Sequence, residues 1–113
     1  MRALAWAIAG VSSMLVLSAA LSEERQNGVL MPPPEYDYMP DPAPITVYVE
    51  DANTTCIERG IYTPPDKVNV GCSSVAADQS MCVIWVARTP PYGIPLEVVL
   101  RHEYAHCNGW VHQ

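Results

Sequence analysis

The sequence predicts an α+β domain, small and disulfide-stabilised, in which a short β-sheet packs against one C-terminal helix. Three features predict it. Two runs rich in β-branched residues, Ile45–Glu50 and Met81–Ala87, have strand character. The stretch from Pro95 to Asn108 repeats its apolar residues at helical spacing. Four cysteines, Cys56, Cys72, Cys82 and Cys107, fall in the same region, an even number suited to two bridges. The domain is therefore placed at residues 45–113, preceded by a signal peptide (1–20) and a flexible, proline-rich leader (21–44).

Met1-Arg2 supplies one positive charge, Ala3 to Leu17 is almost wholly apolar, and Ser18-Ala19-Ala20 offers the small residues a signal peptidase reads. This pattern predicts a secretory signal cut after Ala20. The alternative is an uncleaved membrane anchor, because the apolar run to Leu21 is nearly long enough to span a bilayer. Cleavage removes only Arg2 and moves the net charge from −6 to −7. So acidic a chain has no electrostatic case for binding nucleic acid or, once the signal is gone, an anionic membrane surface. The destination is secreted or periplasmic, where disulfides persist.

Leu21 to Leu30 is polar and charged and reads as flexible. Met31 to Pro44 carries six of the eleven prolines. Proline lacks the amide donor that helices and sheet interiors need, so this part is extended. It is read as a stiff spacer, with wrapping over the domain through Tyr36 and Tyr38 as the alternative. Ile45–Glu50 is then a strand with Ile45, Val47 and Val49 on one face. Asp51-Ala52-Asn53 turns the chain, and Thr54–Tyr62 fits either a short helix or a strand. Thr63–Asp66 is a turn, Lys67–Cys72 a short strand near an edge, and Ser73–Ser80 a polar loop. Met81–Ala87 is apolar throughout, as expected of a strand buried on both faces.

Pro95 suits the start of a helix, and Glu97 places a negative charge in its first turn. Leu96, Val99, Leu100 and Cys107 recur at helical spacing and are expected to pack on the Met81–Ala87 strand. Of the three possible disulfide connectivities, Cys82–Cys107 with Cys56–Cys72 is favoured. A Cys/His zinc cluster is the alternative, but no two cysteines have the C-x-x-C spacing of structural zinc sites. Each bridge would contribute roughly 2–4 kcal/mol to a domain with a thin core.

The end of that helix carries all three histidines of the chain, in Arg101-His102-Glu103-Tyr104-Ala105-His106-Cys107-Asn108-Gly109-Trp110-Val111-His112. His102 and His106 are four apart, so both imidazoles leave one helix face and can grip one ion. Gly109 is placed to end the helix in a left-handed turn. Such a turn is needed if His112 is to bend back to the same ion. Three ligands would leave a fourth position for water, as in catalytic rather than structural zinc sites. Glu103 lies beside the first ligand, placed to act on that water. Neutral histidines are required for ligation, so metal affinity should fall below a pH of ~6.5.

The pattern H-E-x-x-H-x-x-G-x-x-H at residues 102–112 resembles the long zinc motif of the metzincin metallopeptidases. The resemblance covers about twelve residues and implies a minimal zincin-like fold, one Zn2+ per chain held by His102, His106 and His112, and peptide-bond hydrolysis. Glu103 would be the general base and a peptide or protein the substrate. The sequence departs from the family in lacking a methionine-bearing turn after the third histidine. Met14, Met31, Met39 and Met81 all lie upstream of the motif. If His112 does not reach, Glu50, Asp51, Glu58 or the terminal carboxylate could complete the sphere.

Other residues near the motif have plainer readings. Cys107 points away from the metal, Tyr104 is a core or groove residue, and Trp110 packs the turn after the helix, with a substrate contact as the alternative. Arg101 is a solvated arginine or a partner for a substrate carboxylate, and Tyr92 a candidate cleft wall. The leading expectation is a small exported zinc metallopeptidase. The alternatives are a non-catalytic exported zinc-binding protein and a structural or accessory protein of a cell-envelope assembly.

Overall fold

A computed structural model describes residues 23–112. The signal peptide, or anchor, expected at residues 1–20 lies outside the described residues, as does the terminal carboxylate.

The first element is a hairpin of two short strands, β1 (Arg25–Gln26) and β2 (Val29–Leu30). Its two-residue loop holds Asn27 at φ 51° and Gly28 at φ 81°. Two successive left-handed residues match the twist of paired strands, which is why Asn-Gly suits this position. Val29 and Met31 are buried in the main core cluster. Further on, Asp37 pairs with Arg101 and the Asn108 side chain bonds to the Tyr36 and Tyr38 carbonyls. Within the stretch read as a flexible, proline-rich leader, Val29 and Met31 thus reach the core, and Asp37 and the Tyr36 and Tyr38 carbonyls meet the C-terminal helix, as in the wrapping alternative.

Five further elements make up the α+β body. They are β3 (Ile45–Tyr48), α1 (Ala52–Glu58), β4 (Gly71–Val75), β5 (Cys82–Val86) and α2 (Leu96–Cys107). The sheet order is β3-β5-β4, with β3 parallel and β4 antiparallel to β5. Central β5 is buried on both faces, as its apolar run predicts. Cys82, Ile84 and Val86 face α2, in a cluster with Val98 and Val99. Trp85 faces α1, with Cys56 and Cys72 around it. Only the Val49 end of the first predicted face packs in this second cluster, and Ile45 and Val47 stay exposed on the edge strand.

Two disulfides pin the helices to the sheet. Cys56–Cys72 ties α1 to β4, and Cys82–Cys107 ties β5 to α2. The stretch that fitted either helix or strand is helical because Asp51 caps it. Its carboxylate accepts the Thr54 amide at 3.0 Å and the Thr54 hydroxyl at 3.0 Å. The strand expected at Lys67–Cys72 lies instead at Gly71–Val75, so Ser73 to Val75 are strand rather than loop. Pairing with β5 fixes this register, Cys72 opposite Trp85, in spite of the polar side chains. Among the described residues no helix is long and apolar enough to cross a membrane.

Candidate metal centre

The site is built on the last two turns of α2, and a glycine sets how closely that helix approaches the sheet. A Cβ at Gly71 would lie 3.0 Å from side-chain carbons of both Val86 and Val99. The absence of that carbon lets β4 sit against α2, bringing Ser73 to Glu103.

The helix ends in a Schellman motif. The Gly109 amide donates to the His106 carbonyl at 3.0 Å and the Trp110 amide to the Ala105 carbonyl at 3.0 Å. Gly109 has φ 101°, a conformation that disfavours any residue with a Cβ. This turn reverses the chain and delivers His112 to the face that carries His102 and His106. The three Nε2 atoms form a near-equilateral triangle, with sides of 3.1 Å (His102–His106), 3.1 Å (His106–His112) and 3.0 Å (His102–His112).

Two of the rings are oriented by backbone carbonyls. His102 Nδ1 lies 2.6 Å from the Leu30 oxygen, and His106 Nδ1 lies 2.7 Å from the Trp110 oxygen. A carbonyl only accepts, so both Nδ1 atoms carry the proton and donate. In the neutral rings their Nε2 atoms are left as bare lone pairs aimed at one another and at His112. Lone pairs that close repel unless a metal ion or a proton lies among them. Metal-ligating histidines have this arrangement, one nitrogen on the ion and the other donating to a carbonyl or carboxylate. A tetrahedral zinc with bonds of ~2.0–2.1 Å holds two ligand nitrogens about 3.3 Å apart, close to the spacing seen. The three histidines could hold a metal ion, and among the described residues no carboxylate joins their group. Asp51, considered as a substitute ligand, caps α1 instead.

Burial lowers the His102 pKa to about 4, with the neighbouring His106 and His112 adding to the effect and the Leu30 bond opposing it. His106 is lowered too, first by burial and then by His112. Both rings are thus neutral at pH 7, the form that ligates. Trp110 is buried, stacks on His106 with ring centroids 5.1 Å apart, and meets His102 edge-on.

Glu103 is 3 % exposed and is the one buried charged residue among the described residues. Burial pushes its pKa up to about 7, while a hydrogen bond from Ser73 pulls it down. A cavity of about 410 Å³ borders Glu103, the three histidines, Ser73 and Trp110. A second, of about 710 Å³, opens from His102, Glu103 and His112 towards Tyr62, Tyr92 and the hairpin. Tyr92 does therefore line a cleft. Arg101 keeps its side chain partly open to solvent and is turned from the site, because its guanidinium grips Asp37 through bonds of 2.9 and 2.6 Å. Tyr104 and Cys107 pack in or against the core.

The groups that sequence reasoning missed are Ser73 and the Leu30 and Trp110 carbonyls. A backbone carbonyl has no signature in a sequence, and Ser73 stands in a polar run that gives no hint of its register. Searches against protein-family models, curated proteins and solved structures find no match for this chain.

Proposed function

We propose that this chain is a small exported zinc metallopeptidase of the zincin type, hydrolysing peptide bonds in a peptide or protein. The observation that carries the reading is the convergence of three imidazole Nε2 atoms within 3.1 Å beside a buried carboxyl group. His102, His106 and His112 would hold one zinc ion. Such an ion supplies Lewis-acid chemistry, acidifying water and polarising a carbonyl.

The remaining work falls to the chain's own groups. Glu103 takes the proton of the attacking water and returns it to the leaving amine. A carboxyl with a pKa of about 7 is suited to both transfers at neutral pH. Ser73 holds that carboxyl through its hydroxyl. β4 is an edge strand of the sheet and its residues Cys72, Ser73 and Val75 line the cavity at the histidines. An extended peptide could add to such an edge through its backbone, which orients a substrate with little demand on its sequence. The two disulfides fit an oxidising, exported setting.

A second reading is a non-catalytic exported zinc-binding or accessory protein, favoured by the near-complete burial of Glu103 against Ser73. Glu103→Gln separates the two. Cleavage of a peptide library by the zinc-loaded chain, abolished in Glu103→Gln with metal retained, is the expected result. No cleavage by the wild-type chain at full zinc occupancy would favour the second reading.

A further inference from the structure

The two oriented histidines differ in where their orienting carbonyls come from. For His106 it is Trp110, four residues on, supplied by the helix's own end. For His102 it is Leu30, 72 residues upstream, on a separate element. That element is held tightly. Its loop uses left-handed Asn27 and Gly28, the Met31 amide donates to the Glu24 carbonyl at 2.8 Å, and Val29 and Met31 are buried beside α2. The same segment continues along the helix, where Asp37 clasps Arg101, the residue next to His102.

We propose that the β1–β2 hairpin is a positioning element for the metal centre, acting through the Leu30 carbonyl. Accepting from His102 Nδ1–H fixes the tautomer of that ring and aims its Nε2 lone pair at the other two histidines. Without the carbonyl the ring is free to turn and to carry its proton on either nitrogen. Undocking the hairpin therefore weakens metal binding while all three ligands remain. Leu30 is a positioning residue, since it touches neither ion nor substrate. The inference rests on the reading of the three histidines as a metal site.

The test measures zinc affinity of the oxidised chain by competition with a chromophoric chelator. Met31→Ala removes one of the two buried anchors of the hairpin, leaving Val29. Gly28→Val strains the turn at φ 81° without touching the core, since a Cβ there meets nothing within 4 Å. It covers the case in which Met31→Ala fails to fold. Asp51→Ala removes the cap of α1, on the other face of the sheet, and controls for lost stability alone. Zinc should bind about ten- to a hundredfold more weakly in the hairpin variants, as when outer partners of metal-bound histidines are removed, and unchanged in Asp51→Ala. The His102 Nδ1–H proton should exchange slowly in the NMR spectrum of the wild-type chain and be lost in the hairpin variants. Hairpin variants that bind zinc like wild type, or an equal loss in Asp51→Ala, would overturn the positioning role and leave the metal site standing. A wild-type chain that binds no zinc would overturn the metal site itself.

Discussion

The two helices end in the same way and serve different purposes. After α1, Gly60 takes φ 89°, its amide bonds to the Ile57 carbonyl, and the Ile61 amide bonds to the Cys56 carbonyl. After α2, Gly109, His106, Trp110 and Ala105 repeat that pattern. Each helix is also bridged to the sheet by a cysteine in its last turn. Beyond α1 the chain leaves as a loop, and the neighbouring core is apolar, with Arg59 lying over Trp85. Beyond α2 it turns back to close a ring of three imidazoles over a buried carboxyl. A Schellman turn is a general way to stop a helix. At α2 it also sets the geometry of a site, and only there do the surrounding groups carry a desolvation cost that packing alone would not explain.

The largest difference should come from the bridges. Replacing Cys56 and Cys72 by alanine, or Cys82 and Cys107, should each destabilise the fold by about 2–5 kcal/mol in chemical denaturation. Only loss of Cys82–Cys107 should also weaken zinc binding, because Cys107 adjoins His106 on α2. Equal zinc affinity in the two variants would erase the contrast between the faces.

A smaller effect concerns pH in the metal-free chain. His102 has a depressed pKa, so its contribution to stability is present above pH ~6.5 and is lost as pH falls towards about 4. Glu103 has a raised pKa, so its contribution is present below pH ~4.3 and is lost as pH rises towards about 7. The two oppose each other over the same window. Glu103→Gln removes one of them, so its stability should rise with pH between about 4.5 and 6.5 more steeply than wild type. The limit is about 1.4 kcal/mol per pH unit for one proton. Denaturant titrations with chelator present would measure it, and parallel slopes would count against the burial of Glu103.

The glycines give the smallest stability change and the sharpest contrast. Gly60→Ala and Gly109→Ala should each cost roughly 1–2 kcal/mol through the left-handed backbone. A Cβ meets nothing within 4 Å at either position. Gly109→Ala should also weaken zinc binding through His112, and Gly60→Ala should not.

Much of the body was legible because its signals are local. β5 announces itself by an unbroken apolar run, and α2 by periodicity and by Gly109. The triangle of histidines follows from spacing plus that one glycine. β4 was misplaced because its position is set by pairing with β5 and by the contact that Gly71 permits with α2, not by its own polar sequence. The hairpin carried a readable Asn27-Gly28 signal. Its strands are only two residues each, too short for alternation to show, and the prolines that follow pointed to a spacer. The cap of α1 was present as Asp51 before Thr54, but it read as a turn, because the same side chains stabilise both.

On the proposed reading, α2 and the turn after it hold a metal ion. The direct measurement is the metal content of the oxidised chain from residue 21 onward, purified without a histidine tag, beside His106→Ala. One zinc per chain, absent from His106→Ala, is the predicted result. No metal in the wild-type chain, and none taken up when zinc is added, would contradict it.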